Sequence, residues 1–313
     1  MKQYLGVDIG GTTVKIGLVN ERGDILATHN RNVAFDQYET PIIKTVKIAI
    51  DEFLNQEKLS TSSLAGIGVS ATGQIDYRKG IVIGIGGNIK NWCETDIKAH
   101  LEERYHLNTT VVNDANCMII GEKWIGRAKG YQNVIGITIG TGIGGGVIVN
   151  DEILQGIKGI AGEMGHFSID RDGRRCTCGN VGCYEQYASM TALIKDVKAK
   201  YEILDFPVDK ESINGKVIFD ALETGNQAIQ EIVQKWIRDI ALGLVSLVHL
   251  FNPEIIVIGG GVCAQEERFI QPIRSHVLSH VMEQFANDLQ IEAAILGNNA
   301  GLVGAVYYHL HHQ

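Results

Sequence analysis

One pattern of strand, glycine turn and strand occurs twice in this chain. Tyr4 to Ile9 reads as a strand, Gly10-Gly11-Thr12-Thr13 as a tight polar turn, and Val14 to Val19 as an alternating second strand that carries Lys15. A further turn at Asn20-Glu21-Arg22-Gly23-Asp24 leads into a third strand at Ile25-Leu26-Ala27. The same order returns with Val134 to Ile139, Gly140-Thr141-Gly142-Ile143-Gly144-Gly145, the strand Gly146 to Asn150, a turn at Asp151-Glu152, and Ile153-Leu154. Even the Val-Asn before the second turn recurs. Such repetition predicts a duplicated α/β domain. Two related lobes joined face to face leave a cleft, a common place for a ligand.

Each meander is followed by segments of helical spacing. Pro41 to Leu54 and Thr95 to Arg104 read as helices, Leu64 to Ser70 as a strand, and Val111-Val112 as the end of another. Ala115 to Trp124 is helical in pattern, with Asp114, a favoured cap residue, at its start. Gln186 to Tyr201 and Asn226 to Phe251 are read as long helices, the second broken by Asn252-Pro253; Glu254 to Ile258 is a strand entering Gly259-Gly260-Gly261. A last helix, Ala300 to Leu310, is expected to pack back on the first lobe. The expected lobes are residues 1–117 plus 300–313, and residues 118–299 with the cysteine-rich loop.

Composition excludes several classes. A chain of 313 residues, 45% hydrophobic, buries a large core and suggests two domains. A formal net charge of -8 argues against the clustered Lys and Arg of a nucleic-acid partner. The longest apolar run, Ile240 to Phe251, contains Ser246 and His249 and is too short and too polar to span a membrane. Met1-Lys2-Gln3-Tyr4 runs straight into the first strand without the pattern of a secretory signal, so a cytoplasmic protein is expected. Of the six cysteines, Cys93, Cys117 and Cys263 stand alone and are expected to be buried packing residues.

The chemistry-bearing residues cluster at the ends of these elements. Gly140 to Gly145 fits G-x-G-x-x-G, but a strand follows it, whereas a dinucleotide fingerprint needs a helix there. The loop is therefore a hairpin turn. Glycine turns with Thr can cradle phosphates, because several backbone N–H groups converge on an anion. An ordinary turn is the alternative for either loop alone; two in matching places favour paired phosphate contacts. Asp8 is suited to orient a magnesium ion bound with a nucleotide, the alternative being a turn-stabilising role. Asp114 at a helix start is expected to be ionised and fixed, ready to accept a proton from an attacking hydroxyl, or else to serve only as a cap. Cys176, Cys178 and Cys183 in C-x-C-x4-C spacing, with glycines at the bends and His166 upstream, predict a closed Cys3His zinc site of structural type. Glu163 and Glu185 flank it and would offer rigid acceptors to a hydroxyl-rich ligand.

These residues together resemble the ROK family of sugar kinases and sugar-responsive repressors. Asp8-Ile9-Gly10-Gly11-Thr12 resembles its first phosphate motif, Asn113-Asp114 its sugar-binding and catalytic-base pair, and Gly140 to Gly145 its second phosphate loop. Glu163-Met164-Gly165-His166 is similar to its E-x-G-H motif, Cys176 to Glu185 to its C-x-C-G-x-x-G-C-x-E motif, and Asn252 through Gly260 and Gly261 to its nucleotide-side segment. The resemblance runs from residue 5 to about residue 305. It implies a two-lobed, actin-like, ribonuclease-H-like fold with a structural zinc loop, and transfer of phosphate from ATP with magnesium to a hexose. Asn88, Asn113, Asp114, Glu163, His166 and Glu185 would hold the sugar, with Gly73 beside them, and His166 would bridge zinc and sugar. The family pattern differs at Ser70-Ala71-Thr72-Gly73, where many members have proline before glycine, and at Asn91 before Trp92, where glycine is common. Both departures bear on which sugar is taken. The 6-hydroxyl of glucose is the first expectation, with N-acetylmannosamine, fructose or a β-glucoside as alternatives, or a non-catalytic sugar sensor. A sensor that binds DNA would need a further domain ahead of the first strand. A homodimer or homotetramer is implied.

Overall fold

The structure, a computed structural model, describes residues 1–84, 89–204, 208–263 and 265–312. Asn88, expected at the sugar, lies outside the described residues. The chain divides into two compact units, residues 1–136, 146–162 and 295–313 in the first, and residues 137–145 and 163–294 in the second.

The first meander is formed by β1 (Gln3–Ile9), β2 (Thr13–Asn20) and β3 (Ile25–Asn32), paired antiparallel. Helix α1 (Ile42–Gln56) follows and packs on β2 and β3 through Ile42, Val46, Ile50 and Phe53, an apolar stripe at helical spacing. Strand β4 (Ile67–Ala71) is buried along its whole length and lies parallel to β1, as expected of an interior parallel strand. A hairpin, β5 (Gln74–Asp76) and β6 (Ile81–Gly84), precedes α2 (Ile97–Tyr105), β7 (Thr109–Asn113) and α3 (Asp114–Ile125). The sheet order is β3-β2-β1-β4-β7.

The second meander is β8 (Val134–Ile139), β9 (Ile143–Val149) and β10 (Glu152–Ile153). After it come α4 (Glu185–Ala188), α5 (Met190–Ala199), α6 (Gly215–Glu223), α7 (Gln227–Phe251), β11 (Ile255–Gly259), α8 (Gln271–Leu278), α9 (Glu283–Ala286), β12 (Gln290–Ala293) and α10 (Ala300–His311). The second sheet, β10-β9-β8-β11-β12, repeats the first position for position, with an antiparallel meander at one end and a parallel strand pair at the other. This is the duplicated α/β fold expected from the repeated turn. As expected too, α10 packs within the first unit, on α3, β1 and β4. The approach is close: a Cβ at Gly68 of β4 would lie 2.2 Å from the Ala305 carbonyl oxygen. No described helix is long and apolar enough to cross a membrane.

Four local expectations are corrected. Strand β9 begins at Ile143, so Gly144 and Gly145 lie inside it and the turn is shortened to Gly140-Thr141-Gly142. The helix read from Gln186 to Tyr201 is broken at Ser189, whose hydroxyl caps α5 by accepting the Ala192 N–H. The carbonyls freed at the break accept the Trp236 indole N–H, at 3.0 Å for Ala188 and 3.1 Å for Ser189. Helix α3 is capped by Asn113, whose Oδ1 accepts the N–H groups of Ala115 and Asn116, while Asp114 is its first helical residue. Cys117 and Cys263 are buried as expected, but Cys93 is exposed. It lies in a turn with Asn91 and Glu94 at positive φ, and the neighbouring Trp92 takes the inward position.

Candidate active site

In the first unit, the residues after β1 and β7 gather around two carboxylates. Asp8 pairs in register with Ser70 on β4, and the Ser70 hydroxyl donates to Asp8 Oδ1 at 2.6 Å. The start of α10 approaches the same carboxylate, since a Cβ at Gly301 would lie 2.7 Å from Asp8 Oδ1. Gly10 to Thr13 close a turn in which the Gly10 N–H donates to the Thr13 carbonyl at 2.9 Å. Lys15, opposite Asp8 on β2, donates to the Asn298 carbonyl at 2.5 Å. Burial raises the Asp8 pKa, offset in part by the Ser70 hydroxyl and the Lys15 charge.

Asp114 is half-buried, and burial, with the Asp8 charge as second cause, pushes its pKa up to about 7. A carboxylate ionised throughout the neutral range, expected from its position at a helix start, is thereby corrected. The N–H of Ala115 and the Asn113 amide favour the charged form but do not outweigh the desolvation. Asn113 joins two elements: its Nδ2 donates to the Gly73 carbonyl at 2.9 Å and to Asp114 Oδ1 at 3.0 Å. Gly73 has φ of +100°, a conformation that suits glycine. On its other side, fully buried Trp92 donates from its indole nitrogen to the Thr72 carbonyl at 2.9 Å. Thus Gly73, Asn113 and Asp114 come together in this unit. Ser70 is the participant that sequence reasoning missed, because its place opposite Asp8 is set by the register of β4 on β1, strands 62 residues apart at this pair, and no local motif marks it.

The second unit holds the remaining candidates. Gly140, Thr141 and Gly142 form the turn, closed by the Gly140 N–H donating to the Gly142 carbonyl at 3.0 Å. Gly260, with φ of +119°, packs against β8, where a Cβ would lie 2.1 Å from the Ile139 carbonyl oxygen. Gly140, Thr141 and Gly261 line a cavity of about 410 Å3, with Met190, Phe219 and Val262 among its apolar walls and Lys216, Asp220 and Gln265 as polar groups. These wall residues come from separate segments and carry no local motif, which is why the sequence did not reveal them.

His166, Cys176, Cys178 and Cys183 each offer one ligand atom, and the four atoms lie within 4.8 Å of one another. His166 Nδ1 is 3.6 Å from Cys176 Sγ, and Cys178 Sγ is 3.6 Å from Cys183 Sγ. A tetrahedral zinc with bonds of about 2.3 Å to sulfur sets ligand separations of roughly 3.8 Å, so the donor set fits the metal. With Nδ1 turned to the cluster, Nε2 would carry the ring proton and act as a donor. Gly179 and Gly182, both at positive φ, let the loop wrap this centre. Glu163 precedes the short turn Met164–His166, and Glu185 starts α4 two residues after Cys183. Glu185 Oε2 accepts the Ile143 N–H at 3.0 Å, which brings it to the glycine turn as well as to the zinc loop.

The ROK family matches residues 4–312. Among curated relatives, the glucokinase of Thermotoga maritima is 32% identical over 309 residues, covering 97% of this chain and 96% of the relative. The xylose repressor of Bacillus subtilis is 31% identical over 301 residues, covering 96% of this chain and 75% of the repressor. Among solved structures, a ROK family glucokinase from Streptomyces griseus in complex with glucose and AMPPNP superposes with a TM-score of 0.84 at 32% identity, with 97% of each chain covered. The chain belongs to the ROK family, and its fold is the actin-like ATPase fold of that family's glucokinases.

Proposed function

We propose that this chain, an ATP-dependent sugar kinase, phosphorylates the 6-hydroxyl of glucose with Asp114 as the general base. The observation that carries this reading is the Asp114 environment. A carboxylate at the first position of α3, oriented by Asn113 and raised to about 7, has the proton affinity a base needs near neutral pH. In the proposed reaction the sugar oxygen bonds to the terminal phosphorus, the bond to the ADP oxygen breaks, and the hydroxyl proton goes to Asp114.

The other residues bind and orient. Asn113, Glu163, His166 and Glu185 would hold sugar hydroxyls, and the turns Gly10–Thr13 and Gly140–Gly142 would present backbone N–H groups to phosphates. The 410 Å3 cavity is large enough for a nucleoside and favours a nucleotide donor. Asp8 would orient a magnesium ion, and magnesium bound with the nucleotide supplies neutralisation of phosphate charge. Zinc held by His166, Cys176, Cys178 and Cys183 would stiffen the loop from which His166 and Glu185 project.

Glucose as the acceptor is supported by the glucokinases among the relatives. A coupled ADP-release assay across glucose, mannose, fructose, allose, N-acetylmannosamine and a β-glucoside tests it. The highest kcat/KM on any acceptor other than glucose refutes the substrate and leaves the reaction intact. The similarity to xylose repressors favours a second reading, a sugar sensor without turnover, which absence of ADP release with every acceptor would support.

A further inference from the structure

Two hydrogen bonds bracket the second glycine turn, and both come from the segment that leaves the zinc loop. On one side Glu185 Oε2 accepts the Ile143 N–H at 3.0 Å. On the other the Met190 N–H donates to the Gly140 carbonyl at 2.9 Å. Ile143 is 5% exposed, so its N–H depends on that carboxylate for a partner. Contact between turn and carboxylate is close, because a Cβ at Gly142 would lie 2.4 Å from Glu185 Oε2.

The bracketing segment is itself held firmly. Cys183 and Tyr184 are fully buried; the Tyr184 hydroxyl donates to the Ile240 carbonyl at 2.7 Å, and its ring stacks on Phe167 at 5.1 Å. Trp236 fixes the Ala188 carbonyl one turn later. Met190 then lines the same cavity as Gly140 and Thr141.

We propose that Glu185 is a positioning residue for the second phosphate loop: one carboxylate oxygen holds the Gly140–Ile143 turn while the other serves a sugar hydroxyl, so sugar and nucleotide bind cooperatively through this side chain. The loop half of this statement stands on the observed hydrogen bonds, and the sugar half rests on the reading given under Proposed function. A sugar that fixes the Glu185 rotamer removes part of the ordering cost of the turn. Linkage then requires nucleotide to favour sugar by the same factor.

The test is isothermal titration of the zinc-loaded full chain with AMPPNP, with and without glucose. Glu185→Ala leaves the Ile143 N–H without its acceptor, and AMPPNP affinity without sugar is expected to fall by roughly 10-fold. Glu185→Gln keeps an oxygen that accepts this N–H and should restore nucleotide affinity. Unchanged AMPPNP affinity in Glu185→Ala overturns the positioning role. If that variant loses nucleotide affinity but binds glucose like the wild type, the loop role stands and the sugar role and the coupling are refuted. Should the alanine variant fail to fold, Gly142→Ala is the second arm. Its φ is not in the left-handed region and its added methyl meets only the Glu185 carboxylate, so glucose affinity should fall several-fold. Unaltered glucose binding in Gly142→Ala overturns the coupling.

Discussion

Asp8 and Asp114 share one electrostatic neighbourhood, and ionising either makes the other harder to ionise. For Asp114 the sign follows directly. Its folded pKa, about 7, lies above the ordinary 3.8, so between those values the folded chain holds a proton that the unfolded chain has lost. Stability from this group is therefore full below about pH 4 and is lost as pH rises through 7. Asp114→Asn removes the cost of the buried charge. The variant's melting temperature should exceed that of wild type at pH 8, with the gap closing toward pH 4; a gap independent of pH would count against the raised pKa. Catalysis runs the other way, since a base must be ionised: kcat/KM should rise toward a plateau as pH passes 7, and Asp114→Asn should lose about 10²- to 10⁴-fold in turnover. At this scale the sequence marked the helix start and the carboxylate on it, because Asn-Asp before an apolar helical pattern is a local signal. It did not show which of the two caps the helix, as both residues are good caps, nor the burial and the Asp8 charge that set the pKa, which arise from β1 and β7 meeting in one sheet.

Elements differ in how local their causes are. The gathering of His166, Cys176, Cys178 and Cys183 was legible because these residues lie close together in the chain and their spacing alone limits the geometry. Metal analysis of untreated protein should find one zinc per chain. A strong chelator should lower the melting temperature and raise amide exchange over residues 166–183, where Gly182 leaves no room for another packing: a Cβ there would lie 1.6 Å from the Asp170 carbonyl oxygen. Unchanged exchange after the metal is stripped would show that the loop is held by its other contacts, such as Arg174 to Asp196 at 2.7 Å. The break between α4 and α5 was illegible for the opposite reason. Ser189 is an unremarkable helical residue until Trp236, far along the chain, supplies a donor to the carbonyls the break frees. The contact of α3 with α10 is likewise a tertiary fact. Gly304 sits where a Cβ would lie 1.8 Å from the Cys117 carbonyl oxygen, and Gly121 faces Ala300 similarly, at 2.6 Å. Gly304→Ala should force the helices apart at a cost of about 1–3 kcal/mol in a denaturant titration. Because α3 begins with Asp114, turnover should fall along with stability.

Across the whole molecule, the repeated turn foretold the repeated sheet, β3-β2-β1-β4-β7 and β10-β9-β8-β11-β12, since a duplicated strand grammar builds a duplicated topology. The cavity proposed for the nucleotide was the hidden part: Met190, Phe219, Val262 and Gln265 reach it from α5, α6 and the segment after β11, and only Gly140, Thr141 and Gly261 were marked by motif. This arrangement separates a kinase from a sensor by equilibrium measurement alone. Any ligand that binds only the folded chain stabilises it by RT ln(1 + [L]/Kd), about 2.7 kcal/mol at a hundredfold excess over Kd. A kinase of the proposed kind should be stabilised by glucose and by AMPPNP separately, and by the two together beyond the sum of their separate effects. A protein that senses sugar without transferring phosphate should respond to glucose and remain indifferent to AMPPNP. Thermal unfolding in the four conditions, with magnesium throughout, distinguishes them without reference to turnover. A shift with both ligands no larger than the sum would leave each site in place but remove the cooperation between them, and a nil response to AMPPNP would refute the nucleotide assignment of the cavity.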